Sequence, residues 1–259
     1  MSDPTFDTST DTAWDEWGRR DPYYGVITHP KFRRAAMTDE AKREFFGSSE
    51  PHAQYVLGMI RRHIDPEFSP RKILDFGCGV GRLLVAFATM AEDVVGVDVS
   101  QAMLDEARRN CDERQLRNVR LVQTDDYLST LPETFDLIHS FIVFQHIPVA
   151  RGRLILANLL RRLRPGGVAT IQLTYSKTRF AATHGVAPPE SVATAAATPA
   201  NSADADPQIQ MNPYNMNEIL FLIQSQGVQK CHLEFMDHGG ELGVFLYFSV
   251  PGAPIASKT

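Results

Sequence analysis

Short apolar runs alternate along the chain with amphipathic stretches about three turns long. "KILDFG", "VVGVDVS", "VRLVQTD", "FDLIHSFIVF" and "VATIQLTY" are rich in β-branched and aromatic residues, and each predicts a strand. Between them, "RLLVAFATMA", "SQAMLDEARRNC" and "GRLILANLLRRL" repeat apolar residues at helical spacing. Ser100 predicts an N-cap for the second of these helices, and "RPGG" ends the third. Strands alternating with helices predict a parallel, doubly wound α/β sheet. Downstream, "NMNEILFLIQSQG" predicts one more helix. "QKCHLEFMDHGGELGVFLYFSV" predicts two strands joined by a glycine-containing turn, Asp237 to Leu242.

Upstream of the alternation, "TDEAKREFFG" predicts a short helix capped by Thr38 and stopped at Gly47. "EPHAQYVLGMIRRHI" predicts a second, with Val56, Leu57, Ile60 and Ile64 on one face and Pro66 and Pro70 beyond its end. Residues before about 12 are polar and predict disorder. Trp14 to Thr28 instead concentrates two Trp and two Tyr in a polar setting, which predicts an arm docked on the rest of the protein. "RFAATHGVAPPESVATAAATPANSADADPQIQ", residues 179–210, has no sustained periodicity and predicts a functional lid or a flexible insert. The expected organisation is an arm and cap over 1–49, an α/β domain over 50–250 carrying that insert, and a loose tail over 251–259.

Composition narrows the function classes. A chain of 259 residues is long enough for one large α/β domain with a sizeable core. The net charge of −5 disfavours a nucleic-acid partner. Three widely spaced cysteines, Cys78, Cys111 and Cys231, argue against a disulfide framework and predict a reducing, cytoplasmic home. No apolar run reaches the length of a membrane helix, and the N-terminus has no apolar signal region. Oligomeric state is left open between monomer and homodimer.

The candidate chemistry centres on "KILDFGCGVGRLL". Gly77, Gly79 and Gly81 give G-x-G-x-G, but the dinucleotide fingerprint requires glycine where Arg82 stands. The triphosphate loop requires a Lys-Ser or Lys-Thr pair that is absent. Asp75, at the strand end, disfavours a pyrophosphate and suits a cationic ligand such as S-adenosylmethionine. Asp98 ends the next strand, where a carboxylate accepts from two ribose hydroxyls. Asp125 and Asp126 end the third, within reach of an adenine amino group, and "FDLIHSFIVFQHIP" brings Ser140, Phe141, Gln145 and His146 to the same edge.

Taken in order, "LDFGCGVGRL", "VVGVDVSQAML", "VQTDD", "FDLIHSFIVFQHIP" and "LRRLRPGG" resemble the class I S-adenosylmethionine-dependent methyltransferases, over roughly Lys72 to Tyr175. The N-terminal "WGRRDPYYGV" with "EFFG" is similar to a subgroup of bacterial small-molecule methyltransferases with a type 11/25-like domain. The resemblance implies a Rossmann-like seven-stranded sheet of order 3-2-1-4-5-7-6 with strand 7 antiparallel, and S-adenosyl-L-methionine as cofactor. It implies that Asp75, Gly77, Cys78, Gly79 and Gly81 surround the methionine and ribose part. Asp98 matches the ribose-binding acid, Val99 is a further cofactor contact, Met103 matches the adenine face, Asp125 and Asp126 the adenine amino group, and Ser140 and Phe141 the fourth-strand lining.

The expected reaction is methyl transfer to a small molecule, first of all a hydroxyl of a sugar, glycolipid or natural product. N- or C-transfer on the same fold is the alternative, as is a non-catalytic cofactor-binding regulator. His146 is the candidate general base, or else it only holds its loop. Trp17, Tyr23, Tyr24, Gln145, His146, His238 and Glu241 are candidates for the acceptor side. His139, mid-strand, reads as a satisfied core histidine. His232 and His238 lack a carboxylate cluster at ligand spacing, so no metal is assigned.

Overall fold

The computed structural model describes residues 7–187 and 206–252. Seven strands form one sheet: β1 (Lys72–Phe76), β2 (Asp93–Asp98), β3 (Val119–Gln123), β4 (Phe135–Ser140), β5 (Leu163–Lys177), β6 (Cys231–His238) and β7 (Glu241–Ser249). Their order is 3-2-1-4-5-7-6. β1 to β5 pair in parallel, and β7 runs antiparallel to both β5 and β6. Every residue of β4 is buried, as expected of a central strand covered on both faces. A parallel sheet of this order reverses direction between β1 and β4, and open α/β sheets bind ligands at the carboxyl ends of the strands beside that point.

Eight helices accompany the sheet among the described residues: α1 (Ser9–Arg20), α2 (Pro22–Val26), α3 (Asp39–Gly47), α4 (Ser49–His63), α5 (Leu84–Phe87), α6 (Gln101–Glu113), α7 (Val149–Leu160) and α8 (Met216–Ser225). Ile155, Leu156 and Leu159 of α7 and Ile219 and Ile223 of α8 pack with Leu74, Ile138 and Ile171 of the sheet. Val56, Leu57 and Ile60 of α4 and Phe87 pack with Ile73, Leu137 and Phe245 on the other face. Thr38 and Ser100 cap α3 and α6, each accepting from a backbone N–H in the first turn.

Two expectations need correction. "RLLVAFATMA" yields only the four-residue α5; past its end the Asn118 side chain donates to the carbonyls of Ala88 and Ala91 at 2.8 and 3.0 Å. Order begins earlier than residue 12: α1 starts at Ser9, and Thr10 is buried with its hydroxyl donating to the His146 carbonyl at 2.9 Å. Of the insert over 179–210, the described ends lie against the protein: its first turn buries Phe180, and Asp206 and Gln210 meet Arg33 and His146. Residues 188–205, and 253–259 of the tail, lie outside the described residues.

The aromatic arm docks as expected. Trp17, Tyr23, Phe32, Phe45 and Phe46 form one apolar cluster with Val80 of the glycine turn and Met103 of α6. Gly18 lets α1 lie against Ala102 and Met103, where an added Cβ would stand 2.8 Å from both. The arm thereby becomes a wall of whatever the glycine turn encloses.

Candidate functional site

β1 ends in the glycine turn, and Gly77 adopts φ +74°, a region that side chains rarely occupy. The turn's amides are already engaged. The N–H groups of Gly77 and Cys78 donate to the Val97 carbonyl at 2.8 and 3.0 Å, Gly79 donates to Asp98 Oδ2 at 2.9 Å, and Gly81 donates to Cys78. A phosphate-binding loop works by aiming free N–H groups at its ligand, and this turn has spent four of them on protein acceptors. The phosphate readings thus fail on geometry as well as on sequence.

Asp98 is fastened at both oxygens, Oδ2 to the Gly79 N–H and Oδ1 to the Ser100 N–H, each at 2.9 Å. Each carboxylate oxygen still has lone-pair capacity for another donor. Burial pushes its carboxyl up to about 6, against the lowering effect of the amides. A carboxylate held at such a cost gains from a hydroxyl-bearing ligand.

Beside it opens a cavity of about 790 Å³, within the range of small-molecule and cofactor sites. Of the residues expected at the cofactor, Gly77, Cys78, Gly79, Asp98, Val99, Met103, Asp125, Asp126 and Phe141 line it. Of those expected at the acceptor, Trp17, Tyr24, Gln145, His146 and His238 line it.

Five expected site residues do not line it. Asp75 is buried and accepts from His139 Nδ1 at 2.8 Å, so its charge serves the core and not a ligand directly. His139 Nε2 in turn lies 3.0 Å from His52 Nε2, and burial together with this neighbour holds the His52 imidazole down at about 2. His139 is the satisfied core histidine expected of it. Gly81 faces Ala107 of α6, and the Ser140 hydroxyl donates to the Phe76 carbonyl. Tyr23 points away, its hydroxyl 2.7 Å from Glu106 and 2.8 Å from Asn110. Glu241 pairs with Lys177 at 3.1 Å.

Other cavity residues escaped the motif reading. Arg151 of α7 is buried, gives Nε to both Asp126 oxygens at 2.9 and 2.7 Å, and grips Asp11 of α1 with Nη1 and Nη2 at 2.6 and 2.7 Å. Asp126 is therefore committed to a protein cation, whereas Asp125 accepts from the amides of Tyr127 and Ser129. The available signal was an arginine on the otherwise apolar face of "VARGRLILANLL". Asp206, Ile209 and Met211 complete the wall from the far end of the insert. Asp206 does so by pairing with Arg33, which lies over the Tyr24 ring.

His146 follows β4 in a single helical turn. Its Nδ1 lies 3.0 Å from the Gln210 carbonyl. A carbonyl only accepts, so Nδ1 carries the proton and Nε2 keeps its lone pair. Burial holds the imidazole down at about 4, so the ring is neutral at physiological pH. The Gln145 amide nitrogen sits 3.4 Å from that Nε2, and Gln145 is itself anchored by the Thr174 hydroxyl at 2.9 Å. The site thus offers a fixed carboxylate, a neutral imidazole of defined tautomer and an aromatic roof.

Comparison with known proteins places this architecture. Residues 73–167 match the family described as "Methyltransferase domain". Magnesium protoporphyrin IX methyltransferase (ChlM) from Synechocystis PCC 6803, solved with bound SAH, superposes over 92% of this chain and 94% of its own, with a TM-score of 0.60 at 15% identity. The fold is that of the class I methyltransferases. A second structure with this methyltransferase fold, the DhpI-SAM-HEP complex, covers 96% of this chain and 99% of its own at a TM-score of 0.60 and 17% identity. In sequence, the ubiquinone biosynthesis O-methyltransferase of Thiobacillus denitrificans is 33% identical over 137 residues, 51% of this chain and 58% of that protein. The chain spans about half the length of the curated relatives it matches.

Proposed function

We propose that the protein is an S-adenosylmethionine-dependent methyltransferase acting on a small molecule, with a hydroxyl as acceptor. The observation that carries the cofactor is Asp98, its carboxylate fixed beside the glycine turn at the mouth of the cavity. Bound there, the cofactor supplies an activated methyl group on a sulfonium. Asp98 would accept from the ribose hydroxyls and Met103 would flank the adenine, and the engaged amides of the turn leave no competing phosphate site. Trp17 and Tyr24 roof the cavity and exclude water from the methyl group's path.

Methyl transfer needs in-line alignment above all. His146 would add a base: with the acceptor hydroxyl in place of the Gln145 amide at Nε2, that lone pair would take the hydroxyl proton as the methyl group leaves the sulfonium for the oxygen, while Nδ1 stays donated to Gln210. The O-methyltransferase activity named for the relatives supports the same acceptor atom.

Incubation with methyl-labelled cofactor and a metabolite extract, read by mass spectrometry, identifies the labelled product. With that product in hand, His146→Ala lowers turnover by roughly 10²–10⁴-fold and leaves affinity for S-adenosylhomocysteine unchanged. Near-normal turnover rejects the base. A labelled amine or carbon product rejects O-transfer while keeping the cofactor assignment, and cofactor binding without any labelled product favours a regulatory binder.

A further inference from the structure

Five carboxylates line the cavity, and each is already engaged. Asp11 and Asp126 hold Arg151, Asp206 holds Arg33, Asp98 accepts from two backbone amides, and so does Asp125. Arg151 is likewise engaged, through Nε, Nη1 and Nη2. Arg82, which follows the last glycine of the turn and also lines the cavity, is less so. Among the described residues its guanidinium makes one hydrogen bond, from Nη1 to the Ser48 hydroxyl at 3.1 Å, and no ion pair. Its Nε is buried with no partner. Asp75 attracts it through space, but that carboxylate is bonded to His139.

A half-buried cation with so few partners is costly unless something else pairs with it. Burial indeed holds the Arg82 guanidinium below its ordinary range. Its surroundings place it on the acceptor side. The imidazole of His52 lies near enough to feel the Arg82 charge, which adds to burial in keeping that ring neutral; it packs on Phe141 with ring centres 4.5 Å apart, and Phe141 meets His238 at 6.3 Å. Phe141 and His238 both line the cavity. The guanidinium is a planar, permanently charged fork suited to two oxygens of one anion.

We propose that Arg82 forms an anion subsite for the methyl acceptor, so that the substrate carries a carboxylate or phosphate group in addition to the atom that is methylated. The proposal rests on the methyltransferase reading above. Arg82 then serves as a specificity determinant: it orients the acceptor through its charged end, while Phe141 and His238 flank the body of the molecule.

The test uses the full chain, isotopically labelled and saturated with S-adenosylhomocysteine, titrated with acetate and with inorganic phosphate at constant ionic strength. The Arg82 Nε–H resonance, assigned by its loss in Arg82→Lys, shifts and saturates in the millimolar range with at least one of the two anions. Arg82→Gln abolishes the saturable response elsewhere in the cavity and leaves affinity for S-adenosylhomocysteine within about threefold. Which anion saturates separates carboxylate from phosphate. A non-saturating response to both overturns the subsite. So does a fall of about tenfold or more in affinity of Arg82→Gln for S-adenosylhomocysteine with none for methylthioadenosine, because Arg82 would then hold the cofactor's own carboxylate. Failure of the wild type to bind S-adenosylhomocysteine instead overturns the methyltransferase reading on which the proposal stands.

Discussion

Removing the Asp98 side chain should separate cofactor binding from every other property of the cavity. In Asp98→Ala two ribose hydroxyls lose a charged acceptor, and such bonds contribute about 1.5–3 kcal/mol each. The sum, about 3–6 kcal/mol, corresponds to a loss of roughly 10²–10⁴ in affinity for S-adenosylhomocysteine. Calorimetric titration measures it directly, with thermal unfolding as the control, because the Gly79 and Ser100 amides also lose their acceptor. The same carboxylate predicts a pH dependence. Burial raises it to about 6, and ligand hydroxyls bond more strongly to the ionised form, which can accept at both oxygens. Cofactor affinity is therefore flat above pH 7 and falls by up to about tenfold per unit below pH 6. Stability of the unliganded protein moves the opposite way. The folded carboxyl holds a proton that the unfolded one has released, so this contribution is present near pH 4 and is lost as pH rises through 6, by roughly 3 kcal/mol at most. An Asp98→Ala variant that binds within threefold of wild type while remaining folded would refute the ribose assignment.

Two further perturbations test the frame around the site. Arg151→Ala strands the buried Asp126 without its cation and should cost about 3–5 kcal/mol in denaturant unfolding, with earlier proteolysis in α1; Asp11→Ala, whose side chain is better exposed, should cost much less, and equal losses would deny the buried pair its role. Gly77→Ala places a methyl group against the Val143 side chain at positive φ and should abolish measurable S-adenosylhomocysteine binding, with a stability loss of at least about 1–2 kcal/mol; wild-type affinity would show that the turn can relax.

The strand–helix alternation, the sheet class and the acid at the end of β2 were legible because each rests on local pattern: apolar runs, caps and glycines at fixed spacing. The arm was legible as docked, since two Trp and two Tyr seldom stay in water, but its target was not. Asp75 shows the limit most clearly. Position along the chain brings it to the strand end beside the glycine turn, and that led to a ligand role; only the fold reveals that His139, 64 residues away, takes its charge. Arg151 shows the converse. It sits in no motif, yet it joins α1, α7 and the loop after β3, because ion pairing between distant segments leaves no periodic trace.

The cavity wall also fixes an order of assembly. Helix α1 precedes the sheet in the chain, yet its partners come late: Ser100 and Ala102 for Asp15, Arg151 for Asp11, and the His146 carbonyl for Thr10. The segment that then meets His146, Gln210, is translated later still. A nascent chain can build β1, β2 and α6 and dock α1 on them long before the ligand chamber is complete. The contacts of α1 with Arg151 and His146 wait for the sheet's second half, and the wall of Asp206, Ile209 and Met211 is added last, so an arrested chain ending before residue 206 would hold a chamber open on that side.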